Sequence, residues 1–251
     1  MSTRQSVQLG LGSQVDELVA TAIGEAHRSD PVRPHTGGPA GNARLTAWLG
    51  AALLLLFLAE AFTLVSLHRF IDVHILLGGV LVPLTIAKTA TTGWRIARYY
   101  SRSPDYVEAG PPPLVLRVLG PLVILTALAV LGTGIALVAV GAGGAFHTLF
   151  SVAGFRVSPL TLHQAAFAAW LAVTALHVLA RTVPALKVMA GRADRAPVPG
   201  KGLRVIVLVG AVALAVVCGV VLLHVSGSWT HQHGFHGFPF GHGKRLIPPG
   251  H

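Results

Sequence analysis

Long apolar stretches alternate with short polar segments along most of the chain. Leu, Val and Ala dominate five of these stretches, and each is about as long as the 20 or so residues that a helix needs to cross the hydrocarbon core of a bilayer. None shows the apolar–polar alternation of a transmembrane β-strand. The pattern therefore predicts five transmembrane helices, over residues 46–67, 71–97, 118–140, 160–186 and 203–225.

The predicted fold is an all-α polytopic membrane protein with three regions. A polar N-terminal segment covers residues 1–44, the five-helix bundle covers 45–225, and a tail rich in His and Gly covers 226–251. Within the first region, residues 13–26 have the apolar spacing of a short amphipathic helix. This segment either contacts a partner or the membrane surface, or forms a loosely ordered tail. The first apolar stretch starts too far from Met1 for a secretory signal peptide, so we expect it to act as an uncleaved anchor.

Composition and charge narrow the class of protein. Hydrophobic residues make up 53% of the chain and charged residues 11%, whereas soluble domains carry about 25% charged residues. The net charge of +10 does not indicate nucleic-acid binding, because the cationic residues cluster before the first span and around the second and fourth connections. The opposite side carries Arg69, Arg156, Lys244 and Arg245. By the positive-inside rule the N-terminus is predicted to be cytoplasmic and the C-terminus external.

The chain has one cysteine, Cys218, inside the fifth span. One cysteine excludes an intramolecular disulfide, a Cys-x-x-Cys-His haem attachment and a four-cysteine iron–sulfur cluster.

Two histidines share one face of the predicted fourth helix. His163 and His177 are fourteen residues apart, which places them about 21 Å apart along a helix. The second span repeats this spacing with His74 and Lys88. The second and fourth spans run in the same direction, so the pattern predicts an outer pair, His74 with His163, and an inner pair, Lys88 with His177.

The outer pair is a candidate for the two axial ligands of a haem b between opposing helices. Gly78 and Gly79 follow His74 and are predicted to leave room for a macrocycle. The alternative is that the two histidines only form hydrogen bonds between helices.

The inner pair has a less defined chemistry. A haem at this level requires a deprotonated Lys88 as ligand. Otherwise Lys88 stays charged near the inner interface or pairs with an anionic group, and His177 contacts a quinone or joins a hydrogen-bond network.

Other polar residues are weaker candidates. Glu60 lies within the first span, either as a protonated relay group or as a partner for a nearby cation, or it forms a simple hydrogen bond between helices. The tail contains histidines that could bind Zn, Cu or Ni, but their spacing is not that of a fixed metal site. These weak metal candidates are His231, His233, His236 and His242.

Several short motifs resemble those of bacterial membrane cytochromes b. They are His74-Ile-Leu-Leu-Gly78, Pro83, Lys88, Thr92-Gly-Trp-Arg95, Arg98-Tyr-Tyr100, Gly110-Pro-Pro-Pro113, Gly132-Thr-Gly134 and the stretch from Leu162-His163 to His177-Val178. With these motifs the chain resembles the haem-bearing membrane subunits of molybdopterin oxidoreductases and the ferric-reductase-like transmembrane family. The resemblance covers about residues 45–186.

The resemblance implies a b-haem core in the bacterial inner membrane. His74, His163 and His177 match expected ligand positions, whereas Lys88 stands where di-haem relatives have a fourth histidine. One haem b is therefore expected, and a second only if Lys88 also ligates iron. Such a chain would be an electron-transfer subunit rather than a complete enzyme. It would have no catalytic residues of its own and would exchange electrons with quinone and a separate redox protein, such as a molybdopterin oxidoreductase.

Two other function classes stay open. The first is a small membrane transporter or metal-handling protein, in which Glu60, Lys88 and His177 line a polar path and Pro83 bends a helix. The second is a structural anchor for a soluble enzyme, which would tolerate loss of His74, His163 and His177.

Overall fold

The computed structural model describes residues 30–110, 114–190 and 198–230, and a few isolated residues between 13 and 22. The described chain is mostly helical, as predicted. Its helices are α1 (Gly38–Thr63), α2 (Leu67–Tyr100), α3 (Pro104–Glu108), α4 (Leu114–Gly144), α5 (Pro159–Ala190), α6 (Lys201–Val225) and α7 (Gly227–Thr230). A 3-10 turn, Leu64–Ser66, joins α1 to α2, and two short strands, β1 (Phe150–Val152) and β2 (Phe155–Val157), lie between α4 and α5.

Four helical stretches are long and apolar enough to cross a membrane. They are Gly38–Tyr100, Leu116–Gly144, Pro159–Ala190 and Lys201–Val225. Their outer surfaces are apolar: in α6, Leu214 and Val216 are exposed while Ala215 between them is fully buried. Large exposed apolar side chains on every long helix are typical of a bundle surrounded by lipid. The chain is therefore a membrane protein.

The first stretch, of 63 residues, folds back on itself at the 3-10 turn. Close to the turn, Thr63 Oγ1 lies 3.0 Å from His74 Nδ1. Far from the turn, Lys88 Nζ donates to the carbonyl of Thr46 at 2.8 Å. Since these contacts join residues progressively farther apart in sequence, α1 and α2 pack as an antiparallel pair.

The turn lies slightly before the predicted connection at residues 68–70. Ser66 has an extended φ of −148°, so the chain leaves helical geometry there. Helix α2 then starts at Leu67 and contains one distortion, at Phe70 (φ −110°, ψ 19°). The helix continues through Pro83.

Helices α2 and α6 pack through a close approach of glycines. A Cβ atom placed on Gly79 would lie 2.7 Å from the Cα of Gly219, so only hydrogen fits on either residue. Gly79 therefore belongs to a helix–helix contact and not to the space beside His74 that the sequence suggested. Buried aliphatic residues continue this core between α1, α2 and α6: Leu49, Leu53, Leu81, Leu84 and Ala215.

Helix α5 packs on α4 and α1 through aromatic residues. Trp170 is buried, and its ring lies 4.3 Å from that of Phe57 in α1 and 6.0 Å from that of Phe167. Ala127 and Val130 of α4 complete this second core. The cluster lies midway between the levels of His163 and His177 along α5.

The connection between α4 and α5 contains a β-hairpin that the sequence did not predict. Phe150 pairs with Val157 and Val152 with Phe155. The two residues between the strands, Ala153 and Gly154, both have positive φ (48° and 83°), as a two-residue hairpin loop requires.

The predicted terminal features fall largely outside the described residues. A helix was predicted over residues 13–26. Five residues of this segment are described, and all five are helical: Ser13, Asp16, Val19, Ala20 and Ala22. The tail histidines at 231, 233, 236 and 242 lie outside the described part of the chain.

Candidate functional site

His74 of α2 and His163 of α5 face each other near the outer ends of their helices. Their ring centroids are 6.4 Å apart, and the ring planes are nearly perpendicular, at 85°. Both residues are partly buried. The structure thus brings together the outer pair that the sequence predicted; what the pair binds stays a prediction.

The Nδ1 atom of His74 has two oxygen neighbours from α1. Thr63 Oγ1 lies at 3.0 Å and Glu60 Oε1 at 3.1 Å. The Thr63 hydroxyl donates its own proton to the carbonyl of Glu60, at 2.6 Å, so its oxygen is left to accept from the histidine. We infer that His74 carries its proton on Nδ1.

His163 has a matching partner in α4. Its Nδ1 atom lies 3.0 Å from Thr133 Oγ1, and the Thr133 hydroxyl donates to the carbonyl of Ala129, at 2.7 Å. A further contact with the backbone of Val130 also suits an Nδ1–H donor. His163 is therefore in the same tautomer as His74.

In this tautomer each imidazole keeps an unshared electron pair on Nε2. Within the described part of the chain, neither Nε2 has a hydrogen-bond partner. His74 and His163 can therefore each offer one neutral nitrogen ligand. Groups of three or more His, Cys, Asp or Glu side chains suited to a metal ion are not found among the described residues.

A glycine and a glutamate complete the outer site. Gly134 faces the ring of His163, because a Cβ at this position would lie 3.2 Å from Cε1. Glu60 has its Oε2 atom buried without a hydrogen-bond partner, while its Oε1 contacts His74. The structure places Glu60 of α1 beside His74 of α2, and which of its predicted roles it has stays a prediction.

At the inner level, Lys88 and His177 do not form a matched pair of ligands. The Lys88 ammonium donates to the carbonyl of Thr46 and packs against Gly50, where a Cβ would lie 2.9 Å from Nζ. The Nδ1 atom of His177 is buried without a partner. Arg181 follows His177 by one turn of α5.

The described residues just before α1 are fastened to the bundle at the C-terminal end of α2. Asp30 binds Arg95 of α2 with oxygen and nitrogen 2.6 Å apart, and Arg33 forms an ion pair with Asp105 of α3. These contacts bring charged groups close to the end of α5 that carries Arg181.

Two further histidines are exposed and lie near the ends of their helices. His68 and His224 occupy the outer parts of α2 and α6 and are exposed. They provide natural controls for the His74–His163 pair.

Sequence reasoning missed three residues of the outer site: Thr63, Thr133 and Gly134. A signal for each was present. Thr63 follows Glu60 by three residues, which puts both on one helix face, and Thr133 and Gly134 form part of a Gly-Thr-Gly motif inside an apolar span.

Comparison of the chain with protein families, curated proteins and solved structures gives no match.

Proposed function

We propose that the chain is a five-span b-type cytochrome that relays electrons between the quinone pool and a partner oxidoreductase. The observation that carries this proposal is the facing pair His74 and His163, each held by a threonine in the tautomer that a metal ligand needs. The resemblance of the motifs around both histidines to membrane cytochromes b supports the same function.

The spacing of the two rings suits a shared iron. A metal–imidazole bond is about 2.0–2.1 Å long, and the ring centre lies about 1.1 Å from the bonded nitrogen, so two imidazoles that would bind one iron have ring centres up to about 6.3 Å apart. The observed separation is 6.4 Å. Perpendicular ring planes fit as well, since each ring can rotate about its own bond. Two protein ligands suffice for haem, because the macrocycle supplies the other four nitrogens.

The remaining residues of the site fix and shield the ligands. Thr63 and Thr133 orient the imidazoles through Nδ1, which is the usual role of a group behind a metal-binding histidine. The partly buried Phe57 and the buried Trp170 would keep water out of the bundle below the outer level. Haem b bound there would supply a one-electron redox change, and its potential would respond to Glu60 and to the apolar surroundings.

The topology proposed with this function has five crossings, with α1 and α2 as separate spans. Their antiparallel packing supports two crossings in the stretch Gly38–Tyr100. The basic end, with Arg33, Arg95 and Arg204, would face the cytoplasm. This places the N-terminus inside and the C-terminus outside a bacterial inner membrane.

One haem is assigned in this proposal. At the inner level the Lys88 amine donates to a carbonyl, which uses the group that would otherwise ligate a second iron. Electrons would come from or go to quinone and a separate redox protein, such as a molybdopterin oxidoreductase, as the resemblance implies. The chain would then be an electron-transfer subunit and not a complete enzyme.

A reduced-minus-oxidised visible spectrum of the detergent-purified protein, with haem quantified per chain, tests the proposal. We expect a b-type spectrum that disappears in His74→Ala and His163→Ala. The matched controls His68→Ala and His224→Ala should keep it, because both side chains are exposed and lie outside the pair. An unchanged bis-histidine spectrum in His163→Ala would refute the ligand assignment.

A small transporter or metal-handling protein is the second candidate. It is favoured by the buried polar atoms without partners, Oε2 of Glu60 and Nδ1 of His177, which a polar path would use. Protein that is colourless after haem-replete expression, and that moves a divalent cation into vesicles, would support this alternative.

A further inference from the structure

Three helices bring cationic and polar side chains together at the inner level. Lys88 comes from α2, His177 and Arg181 from α5, and Thr46 and its carbonyl from α1. His177 and Arg181 are one turn apart on α5, and Lys88 follows His74 by the same fourteen residues that separate His177 from His163. Because His74 and His163 face each other, Lys88 and His177 lie at one level of the bundle. The outer haem site proposed above lies about 21 Å away along α2, so this inner cluster is a separate region.

The positive charge of the cluster is not balanced by the described residues. Asp30 is the acid that acts on Arg181, but its carboxylate is already paired with Arg95 at 2.6 Å. Neither Lys88 nor Arg181 takes part in a salt bridge within the described ranges. Two like charges at this depth repel one another strongly, because the surrounding medium screens them poorly.

Polar atoms without partners accompany the two cations. Nδ1 of His177, Oγ1 of Thr174 one turn earlier and Oγ1 of Thr46 are all buried and form no hydrogen bond. Hydroxyl and imidazole groups can donate to an acceptor oxygen, and buried groups of this kind normally have a partner. The Lys88 ammonium packs directly against Gly50, where a Cβ would lie 2.9 Å from Nζ. A ligand with negative charge and several oxygen atoms would satisfy these groups together.

The cluster is accessible from the outside of the bundle. Arg181 is exposed, as is its neighbour Leu179 at 74%. Helix α5 has 32 residues and is about 48 Å long, compared with about 30 Å of hydrocarbon. Arg181 lies nine residues before its last residue, which is about 14 Å along the axis. At that position an arginine can reach the headgroup region of the inner leaflet.

We propose that Lys88, His177 and Arg181 form a binding site for a phosphate group, carried by an anionic phospholipid or by a small free anion. Arg181 would meet the phosphate at the lipid-facing opening, and Lys88 would supply the second charge from inside the bundle. Basic pockets between transmembrane helices bind anionic headgroups in this way. The inference is independent of haem binding, and its test does not require a coloured protein.

Thermal unfolding of the full-length, delipidated protein in detergent tests the site. Phosphatidylglycerol, phosphatidylcholine and inorganic phosphate would be titrated separately at matched ionic strength. We expect phosphatidylglycerol to raise the unfolding temperature and phosphatidylcholine to leave it unchanged. If inorganic phosphate reproduces the rise at equal concentration, the phosphate group alone is recognised; if the lipid is required, the anion comes from the bilayer. Either outcome supports the site.

Variants separate this site from general attraction of anions to a basic protein. Arg181→Gln and Lys88→Met should each weaken the response about fivefold, the usual effect of one basic residue at a membrane surface. Arg181→Lys should retain most of it. Arg69→Gln removes one charge from the opposite end of α2 and serves as the control. Because Arg181 is exposed, its variant is expected to fold even if Lys88→Met does not. The proposal would be overturned if wild type, Arg181→Gln and Arg69→Gln all showed the same rise with phosphatidylglycerol. A rise of the same size with a neutral quinone in place of the phosphate compound would also overturn it.

Discussion

Thr133 Oγ1 lies 3.0 Å from Nδ1 of His163, and the hydroxyl of this threonine donates its proton to the carbonyl of Ala129 in its own helix. Thr63 and His74 repeat the relationship at the same distance. In both cases the threonine belongs to the helix that precedes the helix with the histidine. The outer site is thus built from two helix pairs of the same design, each of which fixes one imidazole before any ligand binds.

The first prediction concerns this threonine contact. Thr133→Val keeps the shape of the side chain but removes the acceptor for the Nδ1 proton of His163. We expect haem affinity to fall about 10- to 100-fold, as for other groups that orient a metal-binding histidine. Haem content per chain and the rate of haem transfer to an acceptor protein measure the effect.

A control for this prediction lies on the same helix. Thr126 also donates to the carbonyl four residues before it, at 2.7 Å, but it contacts no histidine. Thr126→Val should therefore leave haem affinity unchanged. Equal losses in the two variants would show that Thr133 acts through helix stability and not through His163.

The second prediction concerns Glu60, whose Oε1 lies 3.1 Å from Nδ1 of His74. A carboxyl group behind a ligating imidazole increases electron donation to the metal and favours the oxidised state. Glu60→Gln should keep the haem but raise its midpoint potential by on the order of tens of millivolts. Potentiometric titration of the visible spectrum gives the value. The control is Asp72→Asn, which alters an exposed acid two residues before His74 and should leave the potential unchanged. A similar shift in both variants would contradict a local role of Glu60.

The sequence predicted a mostly helical membrane protein and the proximity of His74 and His163 for simple physical reasons. The length of each apolar stretch fixes where a helix can cross a bilayer, and helices two apart in the chain run in the same direction. Because His74 and His163 lie at equivalent positions along the second and fourth spans, the two residues are expected at the same depth. The haem itself is not tested by these contacts and stays a proposal.

The sequence did not predict the partners of these histidines, because they depend on how α1 and α4 are rotated about their axes. Periodicity in an apolar helix gives little information on rotation, since every face is hydrophobic. The role of Gly79 was misjudged for the same reason: the residue faces α6, where Gly219 meets it. The β-hairpin at residues 150–157 depends on two positive φ angles in a loop that composition describes only as glycine-rich.

The third prediction uses the contact between Gly134 and His163. A Cβ atom at this position would lie 3.2 Å from Cε1 of the imidazole, so Gly134→Ala forces the ring to shift by a few tenths of an ångström. We expect a weaker b-type spectrum and faster haem loss. Gly132→Ala is the matched control, because a Cβ there meets no atom within 4 Å, and it should retain the wild-type spectrum. If haem binding is unchanged in Gly134→Ala, the ring is free to move and the site is less constrained than the contacts indicate.

The last prediction concerns the packing of α2 against α6 and does not depend on haem. A Cβ on Gly219 would lie 2.8 Å from the carbonyl oxygen of Leu76, and one on Gly79 would lie 2.7 Å from Gly219 Cα. Because both neighbours are backbone atoms, a methyl group can fit only if the helices separate. Gly219→Ala should therefore lower the free energy of unfolding by about 1–3 kcal/mol, the usual cost of overpacking.

The control is Gly210→Ala on the same helix. A Cβ at Gly210 meets no atom within 4 Å, so this variant should be neutral or stabilising by up to about 1 kcal/mol. Unfolding of the detergent-solubilised variants, followed by circular dichroism, measures the difference, and equal stability of the two variants would show that α2 and α6 do not pack through these glycines.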